Sequence, residues 1–142
     1  MSLPPTTLHA SAVARHGAGV LLLGPPGAGK SDLAFRLITA GFDLVADDQV
    51  LLQGLTASAP AALAGLLELR GLGIVRMPYT QATLVLAVEL GQGQRMPTPR
   101  RLPDLDLPLV NVDPTVASAP LRVALALDIV QGKMAMLAGA FA

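Results

Sequence analysis

An eight-residue glycine-rich segment constrains the fold of this chain more than any other feature. It reads Gly24-Pro25-Pro26-Gly27-Ala28-Gly29-Lys30-Ser31 and fits the pattern G-x-x-x-x-G-K-[ST]. The apolar run 19–23 precedes it, and a helical pattern starts near Lys30. A strand, a glycine loop and a helix in this order predict a phosphate-binding loop. The alternative is a glycine-rich turn with a solvated lysine, which would require neither flanking element.

Each part of this segment has a chemical reason. Glycines allow a tight turn in which several backbone N–H groups point at phosphate oxygens, and the following helix adds its positive N-terminal end. We expect Lys30 to contact the β- and γ-phosphates as a point charge, and Ser31 to offer its hydroxyl to Mg²⁺. The segment therefore predicts binding of a nucleoside triphosphate together with Mg²⁺.

Composition excludes several classes of protein. Ten basic and ten acidic residues cancel without forming a basic tract, so sequence-independent binding of nucleic acid lacks the charge it needs. Cysteine is absent, which excludes disulfide and cysteine–zinc frameworks. Aromatic residues make up only 3%, so the core is expected to consist of Leu, Val and Ala. No signal pattern and no apolar run near the roughly 18 residues of a membrane span is present, so we expect a cytoplasmic protein.

The apolar patterns predict an α/β chain in which residues 1–142 form one domain. Residues 1–8 are expected to be a frayed lead-in. In the first half we expect a helix over 30–40 and strands over 9–13, 19–24, 42–46 and 50–53. In the second half we expect helices over 60–69 and 130–141, a loop over 91–107, and strands over 74–77, 83–90, 109–112 and 121–127. The short connections between these later strands favour a mixed or largely antiparallel sheet.

Two adjacent carboxylates, Asp47 and Asp48, follow the strand after the predicted helix. In a phosphate-loop fold this position is near the bound triphosphate, because ligands lie at the carboxyl ends of strands. One carboxylate could hold Mg²⁺ while the other accepts a proton from an attacking hydroxyl. Neighbouring strand residues point to opposite faces, so both reach the site only if the chain bends here. The alternative is a solvated turn, since Asp is common where strands end.

Three further polar residues are candidates for the same site. Glu68 and Arg70 lie in an otherwise apolar stretch, which suggests a metal ligand and a phosphate contact or, alternatively, a surface ion pair at a helix end. His9 would return beside the loop if its strand pairs with the strand that enters the loop; otherwise it is a packing or surface residue. A phosphoryl group or a protein partner could also be held by the loop arginines, which are otherwise solvated: Arg95, Arg100 and Arg101.

The same residues fall in four blocks whose order and spacing resemble the catalytic domain of the bacterial HPr kinase/phosphorylase family. The blocks are residues 8–10, 19–31, 41–48 and 66–74. The Glu-x-Arg-Gly-x-Gly sequence at 68–73 and the Ala-Asp-Asp sequence at 46–48 are more distinctive than the phosphate loop. The resemblance identifies the chain as a short member of the family that consists of the C-terminal catalytic domain only, as in alphaproteobacterial forms.

The resemblance implies a P-loop kinase fold of the phosphoenolpyruvate carboxykinase-like type, with a largely antiparallel sheet and flanking helices. It implies ATP- and Mg²⁺-dependent phosphorylation of a serine on HPr, the phosphocarrier of the sugar phosphotransferase system, and it allows a homo-oligomer. By matching position, residues 24–31 and Arg70 would bind the nucleotide. The resemblance implies catalytic roles for Asp47 as general base, for His9 as its neighbour and for Lys30, and a metal site made of Ser31, Asp48 and Glu68.

The sequence departs from the family pattern after Leu90, where it is shortened and lacks the usual Pro-Gly-Arg-Asn block. That part of the family is associated with phosphorolysis and subunit contacts, so kinase activity is favoured over phosphorylase activity. One alternative is a small-metabolite or nucleotide kinase, although such enzymes usually have an arginine-rich lid. Another is a nucleotide-responsive binding module with little turnover, which would leave Asp47 and His9 unexplained. A guanine-specific switch is disfavoured because no Asn-Lys-x-Asp segment is present.

Overall fold

Three short strands, one helix and three further short strands form the first part of the chain. The structure is a computed structural model that describes residues 4–142. Its first elements are β1 (Thr6–Leu8), β2 (Ser11–Arg15), β3 (Ala18–Leu23), α1 (Lys30–Thr39), β4 (Asp43–Ala46), β5 (Val50–Gln53) and β6 (Thr56–Ser58). The expected frayed lead-in is wrong for residues 6–8, which pair with β5, and residues 1–3 lie outside the described part.

Turn chemistry and helical spacing explain these first elements. His16 and Gly17 adopt left-handed φ values of 51° and 80°, which close the β2–β3 turn. Leu33, Ala34 and Leu37 are buried at helical spacing and fix the inner face of α1. The remaining elements are a 3-10 turn (Ala61–Leu63), β7 (Leu66–Leu69), β8 (Gly73–Arg76), β9 (Ala82–Leu90), β10 (Arg100–Leu102), β11 (Leu107–Val112) and α2 (Ala119–Val130).

Nine of the strands formed by residues 4–142 make one sheet, while β7 and β8 form a separate hairpin. The order is β1-β5-β6-β9-β3-β2-β4, with β11 also beside β9 and β10 beside β11. β9 runs parallel to β3 and to β11, and the other strand pairs are antiparallel. The expected mixed, largely antiparallel sheet is confirmed.

The central strand, β9, determines which loops meet. β3 pairs with it from Thr83 to Glu89, so β6 and β11 share its other edge. Parallel strands end at the same edge of a sheet, and ligands of α/β proteins lie there. The loop after β3 and the segment 113–118 after β11 therefore emerge on the same side of the molecule.

A core lies on each face of the sheet. Val20 and Leu22 of β3 pack with buried residues of α1 and α2, whereas Leu21 belongs to a second cluster on the opposite face. Both clusters consist almost wholly of Leu, Val and Ala, and Phe42 is the one aromatic residue among the buried members given for them. The core composition expected from the sequence is confirmed.

The expected helix over 60–69 is wrong. Only Ala61–Leu63 is helical, as a 3-10 turn, and Leu66–Leu69 is strand β7 of a hairpin. Gly65 separates the two with a φ of 76°, and a Cβ there would lie 2.7 Å from the Met77 carbonyl. Pro60 suggested the start of a helix. The left-handed backbone of Gly65 instead ends the 3-10 turn, and the chain continues as strand β7.

The last elements also differ from the prediction. Residues expected as strand 121–127 lie in α2, which begins after Ser118 with a proline in its first turn. One face of this helix is buried through Val123, Ala126 and Leu127. Because apolar residues also occupy the other faces, the helical spacing was not visible in the sequence. The expected helix over 130–141 is wrong beyond Val130, and the expected loop over 91–107 contains β10. No helix among residues 4–142 has the length and apolarity to cross a membrane.

Candidate active site

The phosphate loop joins β3 to α1 by a tight backbone turn. The Ala28 N–H donates to the Pro25 carbonyl at 3.1 Å, and Gly27 and Gly29 have φ values of 84° and 103°. Side chains are strained at such φ values, so glycine is favoured at both positions. Gly29 precedes the first turn of α1, whose unpaired N–H groups face the loop. The segment thus has the backbone form that an anionic ligand requires.

Lys30 lies over this turn. Its Nζ donates to the carbonyl oxygens of Gly24 and Pro25 at 2.6 Å and 3.1 Å. The residue is 8% exposed, and within residues 4–142 no carboxylate lies at ion-pair distance from it. A buried cation without a counter-ion favours an anion beside it. Lys30 therefore lies over the loop, and its contact with a phosphate stays a prediction.

Ser31 and Asp47 face each other across the site. The Ser31 hydroxyl is 2.8 Å and 3.0 Å from the two carboxylate oxygens of Asp47. The buried hydroxyl of Ser11 donates to Asp47 Oδ1 at 2.7 Å. Asp47 is only 7% exposed, so these two serines hold its carboxylate in one orientation. A loop serine and a strand-end aspartate in contact match the pair that holds Mg²⁺ in phosphate-loop enzymes.

The chain bends sharply after Asp47, as the prediction for two neighbouring carboxylates requires. Asp48 has a left-handed φ of 69°, and the Gln49 N–H donates back to the Asp47 carbonyl at 2.8 Å. Asp tolerates this conformation better than most residues. The bend turns Asp48 toward solvent, where its Oδ1 lies 3.5 Å from His9 Nε2.

The contacts of the two carboxylates do not test the expected division of labour between them, but they favour a different one. Asp47 was expected to accept a proton, but it is buried and already accepts hydrogen bonds from two serines. Asp48 was expected at the metal, but it is 65% exposed at its side chain and has no contact with Ser31 among those described. The geometry suits the reverse arrangement.

A cavity of about 490 Å³ unites most of the predicted residues. Its lining includes nine of them: His9, Pro26, Gly27, Gly29, Lys30, Ser31, Asp48, Glu68 and Arg70. Gly24, Pro25 and Asp47 are not among the lining residues, and Ala28 lines a neighbouring cavity. Cations and carboxylates therefore face one another across a space large enough for a small ligand.

Glu68 and Arg70 reach the cavity from the β7–β8 hairpin rather than from a helix end. Glu68 is the third residue of β7, and Arg70 opens the turn that leads to β8. They form no ion pair with each other, so the expected alternative of a surface pair is wrong. Both side chains remain free to meet a ligand.

No three of the His, Asp and Glu side chains in residues 4–142 come together as a ready cation site. The predicted group of Ser31, Asp48 and Glu68 contains only two such side chains, so its role at a metal stays a prediction. Mg²⁺ usually takes one or two protein oxygens and completes its shell with water and phosphate oxygens. The Ser31–Asp47 pair fits that demand.

Sequence reasoning missed three lining residues, Ser11, Asp32 and Leu69, and assigned three arginines too broadly. Ser11 lies two positions after His9, and this period-2 spacing is a signal that it shares the face of the site. Asp32 lines the cavity from the first turn of α1. The linings described for both cavities leave out all three loop arginines, Arg95, Arg100 and Arg101. Arg101 instead pairs with Asp106 at 2.6 Å.

The segment after β11 touches the phosphate loop. A Cβ on Gly29 would lie 3.7 Å from the Pro114 ring. Asp113 anchors this segment, since its Oδ1 accepts from the Thr115 hydroxyl at 2.6 Å and the Thr115 N–H at 2.9 Å. These bonds, the hydroxyl first, lower the pKa of Asp113 below its ordinary value of 3.8 because they favour the ionised form.

A family model and curated relatives that match this chain all describe HPr kinases. A family model described as the HPr Serine kinase C-terminal domain matches residues 2–84. The HPr kinase/phosphorylases of Bacillus pumilus and Bacillus licheniformis are 33% and 32% identical over 134 residues, which is 84% of this chain. The chain spans only 43% of the length of each of these relatives.

A solved structure shares the fold. The structure of the Hpr(Ser) kinase/phosphatase from Coxiella burnetii superposes with a TM-score of 0.72, covering 91% of this chain and 98% of that chain. At 24% identity this likeness supports the P-loop kinase fold alone. Since the family model spans more than half of its residues, the chain belongs to the HPr serine kinase C-terminal domain family.

Proposed function

We propose that this chain is a kinase that transfers the γ-phosphate of ATP, with Mg²⁺, to a serine hydroxyl of an HPr-like phosphocarrier protein in the cytoplasm, and so regulates a phosphotransferase system. The observation that carries the proposal is the single cavity in which Lys30 and Ser31 of the phosphate loop face Asp48 and His9. The relatives from Bacillus pumilus and Bacillus licheniformis, both HPr kinase/phosphorylases, support the same activity.

Nucleotide and metal would be held by the loop and by Asp47. Loop amides and Lys30 would bind the phosphates, and Arg70 would contact them from the hairpin. Ser31 and Asp47 would hold Mg²⁺, which, when bound, offsets the charge on the phosphate oxygens. Glu68 lies on the same cavity and could bind a metal-linked water.

Asp48 would be the general base. Its carboxylate would take the proton of the acceptor serine as the serine oxygen bonds to the γ-phosphorus, while the bond from that phosphorus to the bridging oxygen breaks and ADP leaves. His9, 3.5 Å from Asp48 Oδ1, would position the carboxylate. An exposed base suits an acceptor that arrives on another protein. In the reverse direction Asp48 would return the proton.

The acceptor would rest on the β7–β8 hairpin. Ile74 and Leu72 are 68% and 74% exposed, and Ile74 pairs with Glu68 across the hairpin. Opposite residues of an antiparallel pair share a face, so an apolar side chain borders the cavity-lining carboxylate. A protein that brings a serine to the cavity would cover this surface, whereas a small metabolite would not need it.

The experiment is phosphate transfer from γ-labelled ATP to purified HPr of the same organism, with the modified residue mapped by mass spectrometry. The proposal expects label on one serine, dependent on Mg²⁺ and lost in Lys30→Ala. Transfer to a small metabolite instead would contradict the protein acceptor. ATP binding without any transfer would point to a nucleotide-responsive binding module.

A further inference from the structure

Three polar or charged side chains are buried among the residues that the structure describes, and all three lie beside the phosphate loop. They are Ser11, Lys30 and Asp47, with exposures of 0%, 8% and 7%. Lys30 belongs to the loop, and Asp47 belongs to the strand end that faces it. Ser11 belongs to neither, and its buried neighbours in the chain, Ala10 and Ala12, are apolar. A buried hydroxyl in an apolar strand needs a partner, and that partner is Asp47.

β2 places Ser11 between the two strands that lead into the site. Ser11 lies opposite Leu22 of β3, the strand that enters the phosphate loop. The next residue, Ala12, lies opposite Ala46 of β4, which directly precedes Asp47. Hydrogen-bonded strands on both edges of β2 hold its backbone in place. The Ser11 hydroxyl therefore comes from a fixed point and can orient a side chain that follows the end of β4.

The two oxygens of the Asp47 carboxylate have different partners. Oδ1 accepts from the Ser11 hydroxyl at 2.7 Å, whereas the Ser31 hydroxyl lies 2.8 Å from Oδ1 and 3.0 Å from Oδ2. A hydroxyl has one proton to donate, so Ser31 satisfies only one of the two oxygens at a time. Ser11 is therefore the fixed partner of Oδ1, and Oδ2 has the larger unused capacity to accept or to bind a cation.

The Asp47 carboxylate also lacks a cation. Within residues 4–142 no Lys, Arg or His side chain lies at ion-pair distance from it. A buried charge without a counter-charge is costly, so this position favours a cation beside the carboxylate. The Ser31 hydroxyl, 3.0 Å from Oδ2, offers a second oxygen at the same place.

We propose that Ser11 is a positioning residue for Mg²⁺: its hydroxyl holds Asp47 Oδ1, so that Oδ2 and the Ser31 oxygen remain available to the metal. This role rests on the proposed function, in which Ser31 and Asp47 serve the metal, and it adds a residue that acts through Asp47. Mg²⁺ demands near-ideal geometry from its few protein ligands, so a carboxylate that is free to rotate binds it more weakly. Ser31 does not hold this orientation alone, because its own oxygen serves the metal.

Calorimetric titration with ATP, in the presence and absence of Mg²⁺, tests this role through the ratio of two dissociation constants. In Ser11→Ala we expect Mg²⁺ to tighten ATP binding about tenfold less than in the wild type, as loss of a hydrogen bond to a charged group implies. Binding of ATP without Mg²⁺ should stay near the wild-type value. Ser11→Thr keeps the hydroxyl at a strand position and should keep the wild-type ratio. Ser58→Ala is the matched control, because Ser58 is a strand serine that lines neither cavity.

The two constants separate a positioning role from a structural one. A loss of stability alone weakens ATP binding with and without Mg²⁺ alike, so equal weakening in Ser11→Ala would overturn the proposal. An undiminished Mg²⁺ effect in Ser11→Ala would overturn it as well. If Mg²⁺ did not tighten ATP binding to the wild type at all, the proposed function would fail together with this role.

The Mg²⁺ dependence of phosphate transfer to HPr provides a second readout. In Ser11→Ala the Mg²⁺ concentration at half-maximal transfer should rise about tenfold, and excess Mg²⁺ should recover most of the rate, because the defect lies in metal affinity. Asp48→Asn is the contrast, since excess metal does not replace a missing base. A Ser11→Ala rate that stays low in excess Mg²⁺ would contradict the proposal. If the wild type binds Mg²⁺-ATP and transfers nothing to HPr, the proposed acceptor fails, and the calorimetric ratio still decides the role of Ser11.

Discussion

At the scale of single residues, the site depends on how two adjacent carboxylates are separated. Asp47 is buried between two serine hydroxyls, and Asp48 is turned to solvent by a left-handed backbone. Two neighbouring aspartates thus differ in environment, because Asp47 is buried and Asp48 is exposed. Burial and hydrogen bonding suit Asp47 to a fixed metal-binding role, and exposure suits Asp48 to meet an incoming protein.

Ser11 is expected to stabilise the fold through Asp47. In Ser11→Ala the carboxylate loses one of its two serine partners in a buried position, so the free energy of unfolding should fall by about 1–3 kcal/mol. Urea denaturation measures the change. Ser58→Ala, on a half-buried strand position, is the control and should lose less. An unchanged midpoint for Ser11→Ala would show that its bond to Asp47 adds nothing.

Asp113 is expected to titrate below its ordinary value. Because its pKa is lowered, the stabilisation from its bonds to Thr115 is fully present above the ordinary value near 3.8 and is lost as the pH falls through the lower, folded-state value. Carboxyl ¹³C NMR should follow this titration, and Thr115→Val should move the midpoint back up. A midpoint above 3.8 in the wild type would contradict the account.

At the scale of elements, the β7–β8 hairpin is the part that sequence patterns described least well. Apolar residues in 60–69 suit a helix as well as a strand, and only the left-handed Gly65 decides between them. For the same reason the sequence predicted a strand where α2 lies, since its continuous apolar run suits a strand as well as a buried helix. The phosphate loop, α1 and the strand before Asp47 were predictable because glycine spacing and a strong amphipathic pattern agree there.

Gly65→Ala is expected to destabilise the hairpin strongly. The new methyl would meet the Met77 carbonyl at 2.7 Å and the Tyr79 ring at 2.9 Å, in addition to the strain of a positive φ. Gly71 has a similar φ of 80° with nothing within 4 Å, so Gly71→Ala isolates the strain. That strain costs about 1–3 kcal/mol. Thermal unfolding should therefore show a larger loss for Gly65→Ala, and equal losses would contradict the described packing.

Ile74→Ser tests whether the hairpin docks the acceptor. Removing an exposed apolar side chain beside the cavity should raise the KM for HPr about tenfold, equivalent to about 1.4 kcal/mol, and leave the KM for ATP unchanged. Leu55→Ser, in the β5–β6 turn, is an exposed apolar control. An unchanged KM for HPr would exclude this face of the hairpin from the interface.

At the scale of the whole molecule, one sheet edge collects the parts of the site. β3 delivers the phosphate loop, β11 delivers the segment that meets it, and β4 delivers the two carboxylates. The sequence motifs predicted nine of the twelve residues that line the cavity of about 490 Å³. Which of Asp47 and Asp48 is buried was not predictable, because the left-handed backbone of Asp48 decides it. The prediction that residues 1–142 form one domain stays a prediction.

The central claim is that Asp48 accepts the proton of the acceptor serine while Asp47 serves the metal. Single-turnover transfer of γ-phosphate to HPr, measured in Asp48→Asn and Asp47→Asn beside calorimetric binding of ATP with and without Mg²⁺, tests it most directly. We expect Asp48→Asn to lose about 10²–10⁴-fold in transfer rate while binding Mg²⁺-ATP normally. We expect Asp47→Asn to lose the effect of Mg²⁺ on ATP binding. Normal transfer by Asp48→Asn, or loss of the Mg²⁺ effect in Asp48→Asn alone, would contradict the account.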